Sequence, residues 1–508
     1  MADASLCTCR PRASHPCSQP ARTTGPDQAP ARPPAPRRRH CRPWAADRPL
    51  PLSEDCPVPD THLHREIAHI AVPVSLETMF QLLLGFIDQV IIGTLGTVAI
   101  AAVGLCNSVL AVVYVTLGAL GTGTGILVAR AHGGGQAQVV ARTSSTAAAL
   151  AGASSLLLAL PFVALAGPFL KGLGAAPAVA AAGRTYFPVV LLMLPLATVG
   201  AVASATLRSL GRPRIPLAVT LLAVALNTAG AYVLVFGVGP FPRLGLAGAA
   251  WATFAAQAVK ALLLLRCLYG GRALARWELP PTLAEWRRTN TELLHLAVPL
   301  GAKDVSWTFA LFGYALLYQR IGTGALAASQ IVATLENLFF LASIGLMVAA
   351  TTLIGQAVGS GDASLAQMRA RILLRTGAVT GLAFGALYLS MALLLPIFYP
   401  HVGRSVLSIA AGGVVISALF QPVRVRNMIL GGGVLPSGGD ARSVVIGDAL
   451  GAFAVGLPLA FLLGFALKWG VWGVFAARGV EEVSKALFFA RRAGRLSWAK
   501  VAVRPAGA

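Results

Sequence analysis

The chain has 508 residues, of which 56% are hydrophobic and 12% charged, whereas an ordinary soluble domain carries about 25% charged residues. This composition excludes a typical soluble globular protein and indicates a membrane protein. Lys and Arg number 41 against 19 Asp and Glu, but the basic residues stand singly or in small groups between long apolar segments. That distribution is typical of membrane orientation signals, so we expect no nucleic-acid partner.

The first 66 residues differ from the rest of the chain. Residues 1–66 contain five of the seven cysteines and the basic run Arg37–His40. Their composition predicts a disordered tail. The spacing of Cys7 and Cys9 is too short for a zinc knuckle, and no apolar stretch of signal-peptide length precedes Ile67. We therefore expect neither a metal site nor a secretory signal in this tail.

From Ile67 onward about twelve apolar stretches follow, each near the roughly 20 residues that a membrane-spanning helix needs. Each should be helical, because unpaired backbone groups are costly in hydrocarbon. The predicted fold is an all-α polytopic membrane protein. Its predicted parts are an N-terminal bundle of six helices (67–269), a linker (270–290), a C-terminal bundle of six helices (291–490) and a basic tail (491–508).

The loops between these stretches predict the orientation. Sixteen basic residues, among them Arg130, Arg208 and Arg442, lie in loops on one side, and six lie on the other. By the positive-inside rule the first side is cytoplasmic, and an even number of spans places both termini there. The linker carries Trp277, Arg287 and other aromatic and basic residues, so we expect it to lie against the anionic membrane surface.

The two predicted bundles repeat each other. A shift of 226 residues aligns 69–135 with 295–361 without a gap and gives 15 identities, among them Pro73 with Pro299. Gly245 and Gly248 recur as Gly470 and Gly473. Six spans separate equivalent points, so both copies enter the membrane in the same direction. This predicts parallel halves related by a pseudo-two-fold axis along the membrane normal, an architecture found among transporters.

The same residues carry a family resemblance. The segments Ala71–Pro73, Gly85–Asp88, Gly93–Gly104, Leu207–Pro213, Leu353–Gln356 and Gly438–Asp440 resemble those of the multidrug and toxic compound extrusion (MATE) transporters. The resemblance covers about 67–490 and is of the bacterial type. It implies two six-helix bundles around a V-shaped cavity and export of organic, often cationic, compounds in exchange for Na⁺ or H⁺. It also implies no enzymatic activity and no cofactor.

Carboxylates inside apolar spans are costly and therefore require an explanation. Glu77 and Asp88 are separated by eleven residues, which places them within about 20° of each other around a helix, and Gln81 lies on the same side. We expect this stripe to face the cavity. Asp88 has no basic neighbour in its span, so it is a candidate for binding a proton, a cation or a cationic substrate.

In the MATE family the ion-coupling site of the N-terminal half draws on four residues. Asp88, Asn227 and Thr253 match three of them, but Ala231 stands where the family often has a second Asp. A sodium site at Asp88 and Asn227 would lack charge, which favours H⁺ as the coupling ion and leaves Na⁺ open. No metal ligand is assigned with certainty.

Candidate cavity residues also occur in the second half. Asp304 stands one turn before Trp307, the position where some family members have Glu, and Lys303 is a potential neutralising partner. Glu336 belongs to a polar strip of the eighth span. Trp307 and Tyr314 could stack on flat cations. Together with Glu77 and Gln81, these residues (Asp304, Trp307, Tyr314 and Glu336) are the predicted substrate cavity.

The sequence predicts a monomeric antiporter of the bacterial inner membrane that exports small organic cations. Three other classes of membrane protein share some of these features. A major-facilitator transporter is disfavoured because the segment Arg130–Gly135 lacks an acidic residue. A lipid-linked saccharide or lipid flippase of the same superfamily remains the alternative, with Arg424 and Arg426 as its only support. A membrane enzyme is disfavoured because no zinc-protease or serine-hydrolase motif occurs.

Overall fold

The structure is a computed structural model that describes residues 60–270 and 274–502. Nearly all of the N-terminal tail predicted from the sequence, including Cys7 and Cys9, lies outside the described residues.

Twelve long helices follow one another in the described part of the chain, and it contains no β-strand. In chain order they are α1 Asp60–Gly93, α2 Thr97–Gly133, α3 Ala137–Ala164, α4 Pro177–Ser209, α5 Arg214–Phe236, α6 Leu246–Tyr269, α7 Leu283–Ile321, α8 Thr323–Gly359, α9 Ala363–Phe398, α10 Arg404–Ser437, α11 Ala441–Ala466 and α12 Val471–Gly494. Two short helices, Ala166–Gly172 and Trp498–Ala502, accompany them, and π-helical turns interrupt α10 and α11. The predicted all-α polytopic fold is confirmed.

Hydropathy separates these helices into two groups. Ten of the described helices are long and apolar enough to cross a membrane, and α7 and α12 are not among them. Both are long enough, at 39 and 24 residues, but both carry charged residues along their length. In α12 the four charged positions Arg478, Glu481, Glu482 and Lys485 follow the i, i+3, i+4, i+7 spacing that places side chains on one helical face. These two helices therefore need oppositely charged residues to neutralise their charges inside the membrane.

The predicted duplication is visible in the backbone. Gly245 precedes α6 with φ 54°, and its repeat equivalent Gly470 precedes α12 with φ 59°. Side chains rarely adopt this left-handed region, so glycine is required at both helix starts. Equivalent turns therefore introduce the last helix of each half.

The buried core is shared between the halves at one end only. Near Arg130, Arg208 and Arg442, which we call the arginine-rich end, core residues of α1 pack with α8, and core residues of α2 pack with α7 and α11. At the opposite end one cluster around Phe187 contains first-half residues, and a separate one around Phe475 contains second-half residues. The halves therefore converge at the arginine-rich end and enclose the V-shaped cavity of the predicted fold.

The described part of the linker is held against α3. Arg142 forms ion pairs with Glu278 and Glu285, both at 2.9 Å, and the Ser145 hydroxyl accepts a hydrogen bond from the Glu278 backbone at 3.1 Å. The helix α7 begins at Leu283, within the range 270–290 predicted as a linker, and the Thr282 side chain caps it. The connection between the halves is thus partly helical.

Candidate functional site

The N-terminal half contains an acid–amide pair in the membrane. Asp88 of α1 is half-buried, and Asn227 of α5 is fully buried. The Asn227 amide donates to both Asp88 carboxylate oxygens, at 3.0 and 2.9 Å. The amide oxygen of Asn227 is buried without a hydrogen-bond partner. The Asp88 carboxylate therefore has a neutral donor as its recorded partner and keeps the capacity to bind a proton or a small cation.

The third residue of this predicted group is not joined to the pair. The Thr253 hydroxyl donates to the backbone oxygen of Ala249 in its own helix, at 2.9 Å. Ala231, one turn after Asn227, is buried and offers no ligand. The structure brings Asp88 and Asn227 together and records no hydrogen bond from Thr253 to either of them.

Asp88 differs from six other carboxylates that lie within the long helices. Glu77, Asp304, Glu336, Asp448, Glu481 and Glu482 each form an ion pair with Lys or Arg. Among the residues that the structure describes, Asp88 has no such partner. Since isolated charge in a membrane is costly, this carboxylate has the strongest reason to bind a proton or a cation.

Glu77 is fully buried and lies in an ion pair within the first half. Its carboxylate is 2.8 Å from the Arg208 guanidinium, and the Thr220 hydroxyl donates to it at 3.4 Å. Lys260, on α6, is close enough to interact electrostatically with it. Gln81, one turn along α1, is exposed. Glu77 and Gln81 are not among the residues that line the cavity of the second half.

That cavity has a volume of about 460 Å³, which is within the range of small-molecule sites. Four predicted cavity residues, Asp304, Trp307, Tyr314 and Glu336, line it. Its walls belong to the second half, apart from Val115 and Thr122 of α2. Nine ionisable carboxylate, ammonium and guanidinium groups also line it: Asp304, Glu336, Asp448, Glu481, Glu482, Lys303, Arg424, Arg478 and Lys485.

Glu336 is the centre of the first charged group. One carboxylate oxygen lies 2.8 Å from Arg424, and the other lies 2.8 Å from Arg478. The Ser417 hydroxyl also donates to it at 2.8 Å. Arg424 reaches Glu482 at 3.9 Å. Both arginines are therefore committed to acids of the protein.

Lys485 is the centre of the second charged group. Its ammonium lies 2.5 Å from Glu481 and 3.6 Å from Asp448, so two carboxylates share one base. The Tyr314 hydroxyl donates to the other oxygen of Glu481 at 2.5 Å. Lys303 pairs with Asp304 at 2.7 Å. With all groups charged, the cavity has five acids and four bases and a net charge of −1.

Aromatic side chains form another part of the cavity wall. Trp307 and Phe340 stack nearly parallel, with ring centroids 5.7 Å apart and an angle of 14°. Both are partly exposed, by 39% and 43%. The Arg478 guanidinium lies 5.7 Å from the Tyr314 ring centroid. An open aromatic surface therefore lies beside the charged groups.

Sequence reasoning missed the charged face of α12. The sequence prediction counts 470–490 as one of the twelve apolar stretches and assigns no role to Arg478, Glu481, Glu482 or Lys485. Their i, i+3, i+4, i+7 spacing is the signal that could have revealed them. Lys260 of α6 was missed in the same way, and it is equivalent to Lys485 if Gly245 is aligned with Gly470.

A conventional metal centre is not found in this part of the protein. Among residues 60–270 and 274–502, no group of three His, Cys, Asp or Glu side chains could hold a metal ion.

Two parallel six-helix halves with polar sites inside the membrane define a multi-pass membrane transporter. The family model for MatE matches residues 73–233 and 304–462, once in each half. The chain belongs to the MATE family.

Relatives and solved structures agree with this assignment. The chain is 30% identical over 445 residues to a probable multidrug resistance protein NorM of Bradyrhizobium diazoefficiens, covering 82% of this chain and 91% of that protein. The NorM protein of Thermotoga maritima is 27% identical over 444 residues, with 84% and 92% covered. A crystal structure of a Vibrio cholerae MATE transporter superposes with a TM-score of 0.79 at 20% identity, covering 87% and 99% of the two chains.

Proposed function

We propose that the protein is a secondary active antiporter that exports organic cations in exchange for H⁺, with Asp88 as the proton-binding group. The observation that carries the proposal is that Asp88 has no basic partner in the described chain, whereas the other membrane carboxylates have one. A carboxylate without a fixed counter-charge is the group whose charge depends on whether it holds a proton, so it can bind and release one during each transport cycle.

The relatives support the transport part of the proposal. Proteins named probable multidrug resistance protein NorM match most of this chain. The positive-inside rule supports a cytoplasmic position for the arginine-rich end. A bacterial inner-membrane location and a monomeric state belong to the same proposal.

The choice of H⁺ as the coupling ion depends on the number of oxygen ligands and charges near Asp88. Sodium needs several oxygen ligands and benefits from charge compensation, whereas a proton needs a single carboxylate. Asp88 and Asn227 supply one carboxylate and one free amide oxygen, and buried Ala231 adds nothing. This favours H⁺ over Na⁺.

A lipid-linked saccharide flippase would need free basic groups for a pyrophosphate. Arg424, Arg478, Lys303 and Lys485 line the cavity, but each is already paired with an acid. The charges of the cavity therefore favour a cationic substrate.

The test is ethidium transport in proteoliposomes under an imposed pH gradient without sodium. Wild-type protein should transport ethidium, and a protonophore should abolish transport. Asp88→Asn should abolish it, because Asn retains the size and hydrogen bonding but cannot bind a proton. Asp362→Asn is the matched control, since both side chains can cap α9. Wild-type activity in Asp88→Asn would overturn the role of Asp88, and a sodium requirement at zero pH gradient would overturn proton coupling.

A further inference from the structure

We propose that the cavity of the second half is the substrate site, that it selects flat organic compounds with a single positive charge, and that substrate and coupling ion bind in different halves. This inference rests on the proposed function and adds the location and the charge class of the substrate.

The location of the substrate site is inferred from the residues that line the cavity. The cavity lies among α7, α8, α10, α11 and α12 and holds about 460 Å³, whereas Asp88, Asn227 and Thr253 do not line it. A drug-sized molecule there would have no contact with the residues proposed to bind the proton. Coupling between the two sites would then act through movement of the halves and not through competition for one carboxylate.

The charge class follows from the pairing of the cavity groups. Arg424 and Arg478 are held by Glu336, and Lys303 is held by Asp304. Lys485 is shared by Glu481 and Asp448, so one carboxylate lacks a base of its own. One added positive charge makes the cavity neutral. An anion would bring its net charge to −2, and a dication would leave it at +1.

The shape class follows from the aromatic wall. Trp307 stands one turn beyond Asp304 on α7, so both line the same side of the cavity. Trp307 and Phe340 already stack on each other and remain partly exposed. A flat cation can extend this stack while its charge lies near Asp304 and Asp448, because a cation is attracted to the face of an aromatic ring. Both carboxylates line the same cavity.

The experiment measures equilibrium binding to full-length protein in detergent, without any ion gradient. The probes are ethidium, which has one positive charge, and propidium, which has the same ring system and a second positive charge. Fluorescence polarisation gives the Kd for each. Ethidium should bind more tightly than propidium by about fivefold or more, because the second charge finds no free acid.

Two cavity variants and two matched controls locate the site. Trp307→Ala and Asp448→Asn should each weaken ethidium binding about tenfold, through lost stacking and lost charge. Trp251→Ala removes a tryptophan that is 46% exposed on α6 of the first half, and Asp362→Asn makes the same acid-to-amide change outside the cavity. Both controls should keep the wild-type Kd. Thermal unfolding verifies that each variant is folded, and the probe preference of the wild-type protein requires no variant.

Asp88→Asn separates this inference from the proposed function. It should lose gradient-driven transport and still bind ethidium with a Kd within about twofold of the wild-type value, since Asp88 lies outside the cavity. Loss of binding in this variant would show that ion and substrate share a site and would overturn the inference. Unchanged binding in both cavity variants, or equal affinity for the two probes, would also overturn it. Failure of wild-type transport would overturn only the proposed function.

Discussion

Arg130 and Gln356 stand at equivalent positions of the two repeats, 226 residues apart, and each donates a hydrogen bond to a backbone carbonyl of the opposite half. Arg130 of α2 reaches the Ser437 oxygen at 2.8 Å and the Pro436 oxygen at 3.2 Å, at the end of α10. Gln356 of α8 reaches the Ser209 oxygen at 3.0 Å, at the end of α4. One charged and one neutral side chain thus join the halves at the arginine-rich end.

The Arg130 contact should be the stronger of the two, because a cation at a helix C-terminus is favoured by the helix dipole and its hydrogen bonds are charge-assisted. Arg130→Ala should separate the halves at this end. Maleimide labelling of Ser437→Cys, which replaces a fully buried residue, should become several times faster. Arg130→Gln introduces the same side chain as Gln356 of the second repeat. The labelling rate should therefore increase less in Arg130→Gln than in Arg130→Ala. Equal labelling in both variants would contradict a role for the charge.

The helices α2 and α8 cross at another equivalent pair, Gly133 and Gly359. A Cβ at Gly133 would overlap the backbone oxygen of Gln356, and one at Gly359 would overlap that of Arg130. Gly133→Ala should therefore destabilise the protein by about 1–3 kcal/mol through overpacking. Gly118→Ala is the control in the same helix, since an added Cβ there meets nothing within 4 Å. Thermal unfolding in detergent compares them, and equal midpoints would show that the crossing tolerates expansion.

Glu336→Gln should be among the most destabilising conservative changes in the second half. It leaves the guanidinium groups of Arg424 and Arg478 without their shared counter-charge, and breaking such buried pairs costs about 3–5 kcal/mol. Glu66→Gln makes the same chemical change at a carboxylate that is 37% exposed and 3.7 Å from Arg369, where the expected loss is about 1 kcal/mol or less. A drop in Tm no larger than that of Glu66→Gln would mean that the cluster contributes little to stability.

Ala231→Asp tests which ion drives transport. It changes the residue that departs from the family pattern. The new carboxylate would lie one turn from Asn227, on the helix that contacts Asp88. Two neighbouring carboxylates supply the charge that a sodium site needs. Transport by this variant should become sensitive to sodium, while Ala231→Asn should remain insensitive. If sodium has the same effect on the wild-type protein and on Ala231→Asp, the role assigned to position 231 is wrong.

The linker should detach at low pH. Hydrogen bonds from Gln138 and Arg142 hold the pKa of Glu278 below its ordinary value of 4.5, so the carboxylate stabilises the attachment above about pH 4.5. This stabilisation is lost as the pH falls through the lower pKa of the folded state. Hydrogen exchange of 274–285 should be slower in wild-type protein than in Glu278→Gln at pH 6, and the difference should shrink steadily as the pH is lowered below 4.5. A difference that stays constant as the pH is lowered below 4.5 would contradict this account.

The sequence predicted the fold well because the relevant signals are local. Apolar length, loop charge and the repeat at Pro73 and Pro299 each depend on nearby residues, and they were sufficient for two parallel six-helix halves. The approach of Asn227 to Asp88 was expected from the family resemblance. The ion pair of Glu77 with Arg208 was not expected, because Arg208 was counted only as a loop charge.

The charged groups of the cavity could be predicted only in part. Asp304, Trp307, Tyr314 and Glu336 were selected as single residues, but their partners come from helices distant in the sequence. The pairing of Glu336 with Arg424 and Arg478 depends on how α8, α10 and α12 pack. No spacing within one helix contains that information.

The charged face of α12 also bears on how the chain enters the membrane. A Lys, Arg or Asp at the centre of a helix costs about 2.5–3.5 kcal/mol when the translocon transfers that helix to lipid, and α12 carries four charged residues between Arg478 and Lys485. Released alone into lipid, this helix would have no partners for them. The acids and bases that neutralise it lie on α8, α10 and α11, which are synthesised earlier. The last of the twelve helices can therefore settle only against a second half that is already in the membrane.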